Sequence, residues 1–202
     1  MAGDADKLNL LGMPQGELEA LFADIGEKPY RARQLLQWMY QRGVNDFDAM
    51  TDLSKSLRAK LRERATVALP RVDSEYKSSD GTVKWLFASG SGQRVEAVYI
   101  PEPARGTLCI SSQVGCALDC AFCATGAQGF NRNLTAAEII GQVWHANEVL
   151  PRRPNGESAV TNVVFMGMGE PLANYRNVVP VLELLISDYA LGLSRRRVTI
   201  ST

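Results

Sequence analysis

Hydrophobic residues near the start of the chain recur at the spacing of an amphipathic helix. Leu18, Leu21, Phe22 and Ile25 stand at positions i, i+3, i+4 and i+7, and the same spacing returns in "ARQLLQWM". A third stretch, "SKSLRAKLRERA", separates its two leucines by one helical turn and surrounds them with basic residues. The pattern predicts three helices, and residues 1–66 are therefore predicted to form a small helical domain.

The pattern changes to short runs rich in Val, Tyr, Trp and Phe after the helical part. These runs are separated by "SSDGT" and "SGSGQ", whose composition is typical of turns. The stretches "TVKWLFAS" and "QRVEAVYI" alternate as two strands of a hairpin would. Residues 67–104 are accordingly predicted to form a β-hairpin extension.

From residue 105 onward, strand patterns alternate with helix patterns. "TLCISS" precedes a loop rich in cysteine, and "LTAAEIIGQVWHANEVL" then predicts a helix that begins with a capping box of Thr135 and Glu138. A buried strand in "TNVVFMGMGEP", a helix over about 174–188 and a strand in "RRVTIST" follow. This alternation predicts an α/β fold with a parallel sheet over residues 105–202, and chemistry at the carboxyl ends of its strands.

The composition of the chain says more about its cellular compartment than about its binding partner. The 202 residues are 46% hydrophobic and 22% charged with a net charge of zero, and they include no run of about 18 uncharged apolar residues that could cross a membrane. With its acidic first residues, the chain is predicted to be cytoplasmic. Between Lys28 and Arg71, ten basic residues stand against four acidic ones. This surplus of basic residues suits contacts with phosphate groups, and equally the solvated faces of amphipathic helices.

Three of the four cysteines form the motif C-x3-C-x2-C directly after a predicted strand. In a reducing compartment, Cys116, Cys120 and Cys123 are better explained as metal ligands or catalytic thiols than as disulfides. A structural zinc site needs four ligands, and the only histidine, His145, lies a helix away. Three thiolates suit a 4Fe-4S cluster that leaves one iron without a protein ligand, open to a small molecule.

The cysteine motif, with the aromatic Phe122 before its last cysteine, resembles the signature of radical S-adenosylmethionine (SAM) enzymes, in which SAM chelates the open iron. Three stretches, "TLCISSQVGCALDCAFCATGAQGFNRNL", "TNVVFMGMGEPLAN" and "RRVTIST", resemble the RlmN/Cfr family of RNA methyltransferases, as does "GEKPYRARQLLQW" near the start. The resemblance implies a radical SAM partial (β/α)6 barrel with only about its first three strands present. The helical domain and the hairpin extension precede this barrel.

The resemblance also implies roles for single residues outside the cluster motif. Gly169 and Glu170 of "GMGEP" and Ser201 in the last strand match the family's SAM contacts. Glu96 in "RVEAVYIP" matches the family's proton acceptor. Cys109 matches a resolving cysteine, which forms a disulfide during turnover. Taken alone, a glutamate in a strand is usually exposed to solvent, and a cysteine in "TLCISS" is usually a buried apolar residue.

The resemblance is to the RlmN branch of this family, and it implies methylation at C2 of an adenine in 23S rRNA and in tRNA through a methyl-cysteine intermediate, with electrons from a donor such as flavodoxin. RNA contacts are expected from the helical domain and from Arg195, Arg196 and Arg197, in a monomer without a membrane partner. Two alternatives remain open: C8 methylation as in Cfr, and a truncated non-catalytic iron-sulfur or zinc module that binds RNA. The chain has no cysteine after Cys123 that could carry the methyl group, so we expect it to be the front of a longer protein.

Overall fold

A computed structural model describes residues 7–89, 92–118, 120–121 and 123–202. The helices are α1 (Gln15–Asp24), α2 (Arg31–Leu36), α3 (Lys55–Arg64), α4 (Ala124–Ala127), α5 (Ala136–Val149) and α6 (Tyr175–Ile186). The strands are β1 (Leu8–Asn9), β2 (Ala65–Thr66), β3 (Val72–Lys77), β4 (Val83–Ala88), β5 (Arg94–Pro101), β6 (Gly106–Cys109), β7 (Gln113–Gly115), β8 (Phe130–Asn133), β9 (Asn162–Phe165) and β10 (Val198–Ile200).

The helical part forms where the apolar spacing predicts it. Leu18 and Phe22 of α1 and Leu57 and Leu61 of α3 are buried in one core, and Ser54 caps α3 by accepting a hydrogen bond from the Leu57 N–H at 3.2 Å. Two features were not predicted. The helix α2 continues into one π-helical turn over Gln37–Gln41, and β1 pairs in parallel with β2.

Six strands form one sheet in the order β10-β9-β6-β5-β4-β3. The strands β6, β9 and β10 are parallel, as predicted, and β3 to β6 are antiparallel, which confirms the hairpin of β4 and β5. Because β5 pairs directly with β6, the sheet continues across the predicted boundary at residues 104 and 105. The fold is therefore a mixed α/β fold in which the hairpin extends the parallel sheet.

The two faces of this sheet differ in burial. On one face Trp85, Phe87 and Leu108 are fully buried, and the ring of His145 from α5 meets both aromatic rings edge-on at centroid distances of 5.5 Å. Side chains alternate along a strand, so the residues between them point to the other face. That face, which we call the open face, carries partly exposed side chains, among them those of Glu96 and Cys109.

The helical part docks on the helices that cover the sheet. The indole N–H of Trp144 in α5 donates to the Met39 carbonyl at 2.7 Å, and the side-chain amide of Gln41 donates to the Asp188 carbonyl at 2.8 Å. These contacts join the basic helices to the α/β part. No helix in the described part of the chain is both long and apolar enough to cross a bilayer.

Candidate active site

The candidate site lies at the carboxyl ends of β6 and β9. Cys109 at the end of β6 pairs with Val164 of β9, so the loops that follow the two strands start side by side. Several hydrogen bonds then join them. Among these, the Gly167 N–H donates to the Ile110 carbonyl (3.1 Å), the Ser112 N–H to the Met168 carbonyl (2.8 Å), and the Met168 N–H to the Ser111 hydroxyl (2.8 Å). The "GMGEP" loop is thus fixed to the segment that leads into the cysteine loop.

Gly169 occupies a position that no other residue fits without strain. Its φ is +94°, and a Cβ there would lie 2.4 Å from the Cβ of Gln113. The next residue, Glu170, donates its backbone N–H to the side-chain oxygen of Gln113 at 2.8 Å. Its carboxylate accepts from the Leu172 N–H at 3.0 Å and caps the 3-10 turn that precedes α6.

Buried amide side chains support both loops. The Gln142 side chain of α5 pairs with the backbone of Ser111, and the Asn174 side chain donates to the carbonyls of Ser112 (2.7 Å) and Leu134 (2.8 Å). These residues were missed by sequence reasoning, because an isolated Gln or Asn in a helix pattern is usually exposed. The polar run "SSQ" directly after a buried strand is the signal that could have indicated them.

The cysteine loop is framed by a small hairpin of β7 and β8 that was not predicted. Cys116 is buried, Cys123 is half-buried, and Cys120 is exposed; all three are free thiols. Within the ranges given above, no three Cys, His, Asp or Glu side chains converge at metal-binding distances. The predicted aromatic signature residue, Phe122, lies outside the described residues.

Hydrogen bonds to two of the cysteine sulfurs nevertheless suit thiolates that bind a metal. The backbone N–H groups of Gly126 and Thr125 donate to the sulfur of Cys123 and lower the pKa of its thiol, which favours the thiolate that binds metal. The Cys116 sulfur accepts from the Leu118 N–H at 3.4 Å, a contact common around metal-bound thiolates. His145 lies between the rings of Trp85 and Phe87 on the buried face of the sheet, so it cannot serve as a fourth zinc ligand for this loop.

Glu96 and Cys109 share the open face of the sheet. Val98 pairs with Cys109, and Glu96 lies two residues before Val98, so the three side chains point the same way. The ammonium of Lys84 lies 3.4 Å from the Glu96 carboxylate, and both side chains are partly exposed. Burial raises the pKa of the Cys109 thiol, although the Met166 N–H donates to its sulfur and opposes the shift.

Ser201 follows the edge strand β10 and is exposed. Ile200 pairs with Phe165, the last residue of β9, so Ser201 and the start of the "GMGEP" loop lie at the same carboxyl end of these two strands. The three arginines Arg195, Arg196 and Arg197 form a turn before β10, at the opposite end of that strand. The predicted cofactor residues thus gather at one end of the parallel strands, and the arginines lie at the other.

Comparison with known proteins shows which proteins this chain resembles. Residues 8–67 match the model of the ribosomal RNA large subunit methyltransferase N-terminal domain. The chain is 58% identical to the "Dual-specificity RNA methyltransferase RlmN" of Marinobacter nauticus. The alignment covers 100% of this chain and 55% of that protein. The crystal structure of a radical SAM methyltransferase from Sphaerobacter thermophilus superposes with a TM-score of 0.85 at 41% identity, covering 96% of this chain and 57% of the other.

These similarities assign the class first: the chain has the mixed α/β fold of a radical SAM methyltransferase. At the level of sequence, the full length of this chain is similar to RlmN methyltransferases, and residues 8–67 match the N-terminal domain found in such enzymes. It spans about half the length of the relatives that it matches.

Proposed function

We propose that this chain is the cofactor-binding part of a radical SAM methyltransferase that modifies C2 of an adenine in 23S rRNA and in tRNA. One observation carries the proposal. The loop with C-x3-C-x2-C and the "GMGEP" loop follow neighbouring parallel strands, and the "GMGEP" loop is hydrogen-bonded to the segment that leads into the cysteine loop. A site that must hold a metal cluster beside a small cofactor needs this proximity.

In this proposal Cys116, Cys120 and Cys123 would hold a 4Fe-4S cluster that leaves one iron without a cysteine ligand. Gly169, Glu170 and Ser201 would contact SAM. When bound, the two cofactors would supply the radical chemistry of the reaction. The left-handed backbone at Gly169 favours glycine, and the absence of a side chain lets Gln113 pack directly against this peptide.

The three parallel strands would be the first of a partial (β/α)6 barrel, with the open face of the sheet turned toward its interior. The proposed domains are 1–66, 67–104 and 105–202, although the sheet is continuous across the last boundary. An RNA base turned out of its stack would then reach the side chains on this face. The exposure of that face in the described chain is consistent with such an arrangement.

Glu96 and Cys109 would act on the RNA adduct from this shared face. Glu96 is partly exposed and acts as the base that takes the proton from the adenine ring. Cys109 then attacks the sulfur of the methyl-carrying cysteine. The new disulfide forms as the carbon–sulfur bond breaks, and the electron pair of that bond passes to the released carbon, which takes a proton. The buried, protonated thiol of Cys109 would keep this residue unreactive until the adduct is in place.

RNA contacts would come mainly from the basic helical domain. Part of its charge is already compensated, because Lys60 and Arg62 form ion pairs with Glu27 and Asp48. Arg195, Arg196 and Arg197 lie at the end of β10 away from the cofactor loops, so they would contact RNA far from the target base. We further propose a cytoplasmic monomer that is reduced by a flavodoxin-like donor.

The test uses the complete protein that contains this chain, with a reductant, methyl-labelled SAM and either 23S rRNA or tRNA. We expect label at C2 of a single adenine, and loss of product release in Cys109→Ala. Label at C8 would instead favour Cfr-like chemistry. Bound RNA without any label would favour the non-catalytic module.

A further inference from the structure

Gln113 is a buried residue, and both polar atoms of its side chain form hydrogen bonds. It is 2% exposed, its oxygen accepts the Glu170 N–H at 2.8 Å, and its amide nitrogen donates to the side-chain oxygen of Asn133 at 2.8 Å. Asn133 ends β8, the strand that returns from the cysteine loop. One side chain therefore joins the "GMGEP" loop to the return strand.

The backbone of Gln113 reinforces the same connection. Its N–H donates to the Met168 carbonyl at 3.2 Å, and its Cβ fills the space that a side chain at Gly169 would need. Gln113 also stands three residues before Cys116, in the strand β7 that enters the cysteine loop. A displacement of Gln113 would thus move the entry to the cysteine loop and the Gly169–Glu170 peptide together.

We propose that Gln113 is a positioning residue that sets the distance between the cluster loop and the SAM-contacting peptide. The identity of the two ligands rests on the proposed function. The contacts that Gln113 makes with the two loops do not depend on it. The physical reason is that a neutral amide can donate to one loop and accept from the other at once, without burying a charge. Residues that orient a metal site without touching the metal commonly change its affinity or activity by about 10- to 100-fold.

The test compares Gln113→Leu with Gln128→Leu, a matched change at an exposed glutamine of the same loop. Hydrogen exchange is followed by mass spectrometry in the protein without cofactors. We expect the segment 167–172 to exchange about tenfold faster in Gln113→Leu, because the buried Glu170 N–H loses its acceptor, and at the wild-type rate in Gln128→Leu. Unchanged exchange in both variants would overturn the inference.

A second measurement concerns the cofactors. After anaerobic reconstitution, Gln113→Leu should keep its iron content but bind SAM about tenfold more weakly, and the electron paramagnetic resonance signal should respond less to SAM. If Gln113→Leu does not fold, Asn133→Ala removes one of the two contacts and should give a smaller change in the same direction. Wild-type affinity in these variants would contradict the role of Gln113. A wild-type protein that takes up no cluster would instead contradict the proposed function, and the exchange result would still stand.

Discussion

The side chain of Gln142 pairs with the backbone of Ser111 as a neighbouring strand would. Its oxygen accepts the Ser111 N–H at 2.9 Å, and its nitrogen donates to the Ser111 carbonyl at 3.0 Å. Both residues are fully buried, at the point where β6 gives way to the loops of the candidate site. A helix side chain thus satisfies backbone groups that the sheet leaves unpaired.

Replacement of Gln142 by Leu should therefore destabilise the fold strongly. The change leaves a buried N–H and a buried carbonyl without partners, at a cost of about 1–3 kcal/mol for each group. Chemical denaturation would measure the free energy of unfolding. Gln128→Leu serves as the control, since Gln128 is exposed and should tolerate the change. Equal stability of the two variants would contradict the role given to Gln142.

Gly169→Ala should cost more stability than Gly156→Ala. Both glycines have positive φ, +94° and +82°, so both changes introduce backbone strain of about 1–2 kcal/mol. Only at Gly169 does the new Cβ also collide with Gln113, because nothing lies within 4 Å of a Cβ at Gly156. Thermal unfolding of the two variants separates the collision from the strain. An equal loss in both would show that the loop yields to the side chain.

The two half-buried thiols should differ in their reaction with iodoacetamide. Hydrogen bonds lower the pKa of Cys123, whereas burial raises the pKa of Cys109. Since the thiolate is the reactive form, we expect Cys123 in the metal-free protein to be alkylated at least about tenfold faster near neutral pH. The rate at Cys109 should increase only above the ordinary thiol pKa of about 8.5.

Mass spectrometry of the labelled peptides checks this order. Full denaturation provides the control, because it removes both environments and should bring the two rates together. Equal rates in the folded protein would contradict the assigned surroundings of the two sulfurs.

Much of the fold follows from periodicity, and the candidate site follows only in part. The spacing around Leu18 and Phe22, the alternation in β4 and β5, and the capping box of Thr135 and Glu138 all form as predicted. Local patterns suffice there because each element buries one regular face. The hairpin of β7 and β8 and the pairing of β5 with β6 depend on contacts that short-range patterns do not encode.

The supporting residues of the site could not be predicted for a different reason. Gln113, Gln142 and Asn174 are polar, and their burial is possible only because the fold supplies partners for every amide group. A single sequence can predict candidate side chains for chemistry through a motif, as with the three cysteines. It does not identify the amides that hold those motifs together.

The most direct test of the central claim is anaerobic reconstitution of the chain with iron and sulfide. We predict about four iron and four sulfide per chain and an electron paramagnetic resonance signal that changes when SAM is added. Cys116→Ala, Cys120→Ala and Cys123→Ala should each lose the cluster, whereas Cys109→Ala should retain it. One bound zinc per chain, with no response to SAM, would contradict the assignment of these cysteines to a radical SAM cluster.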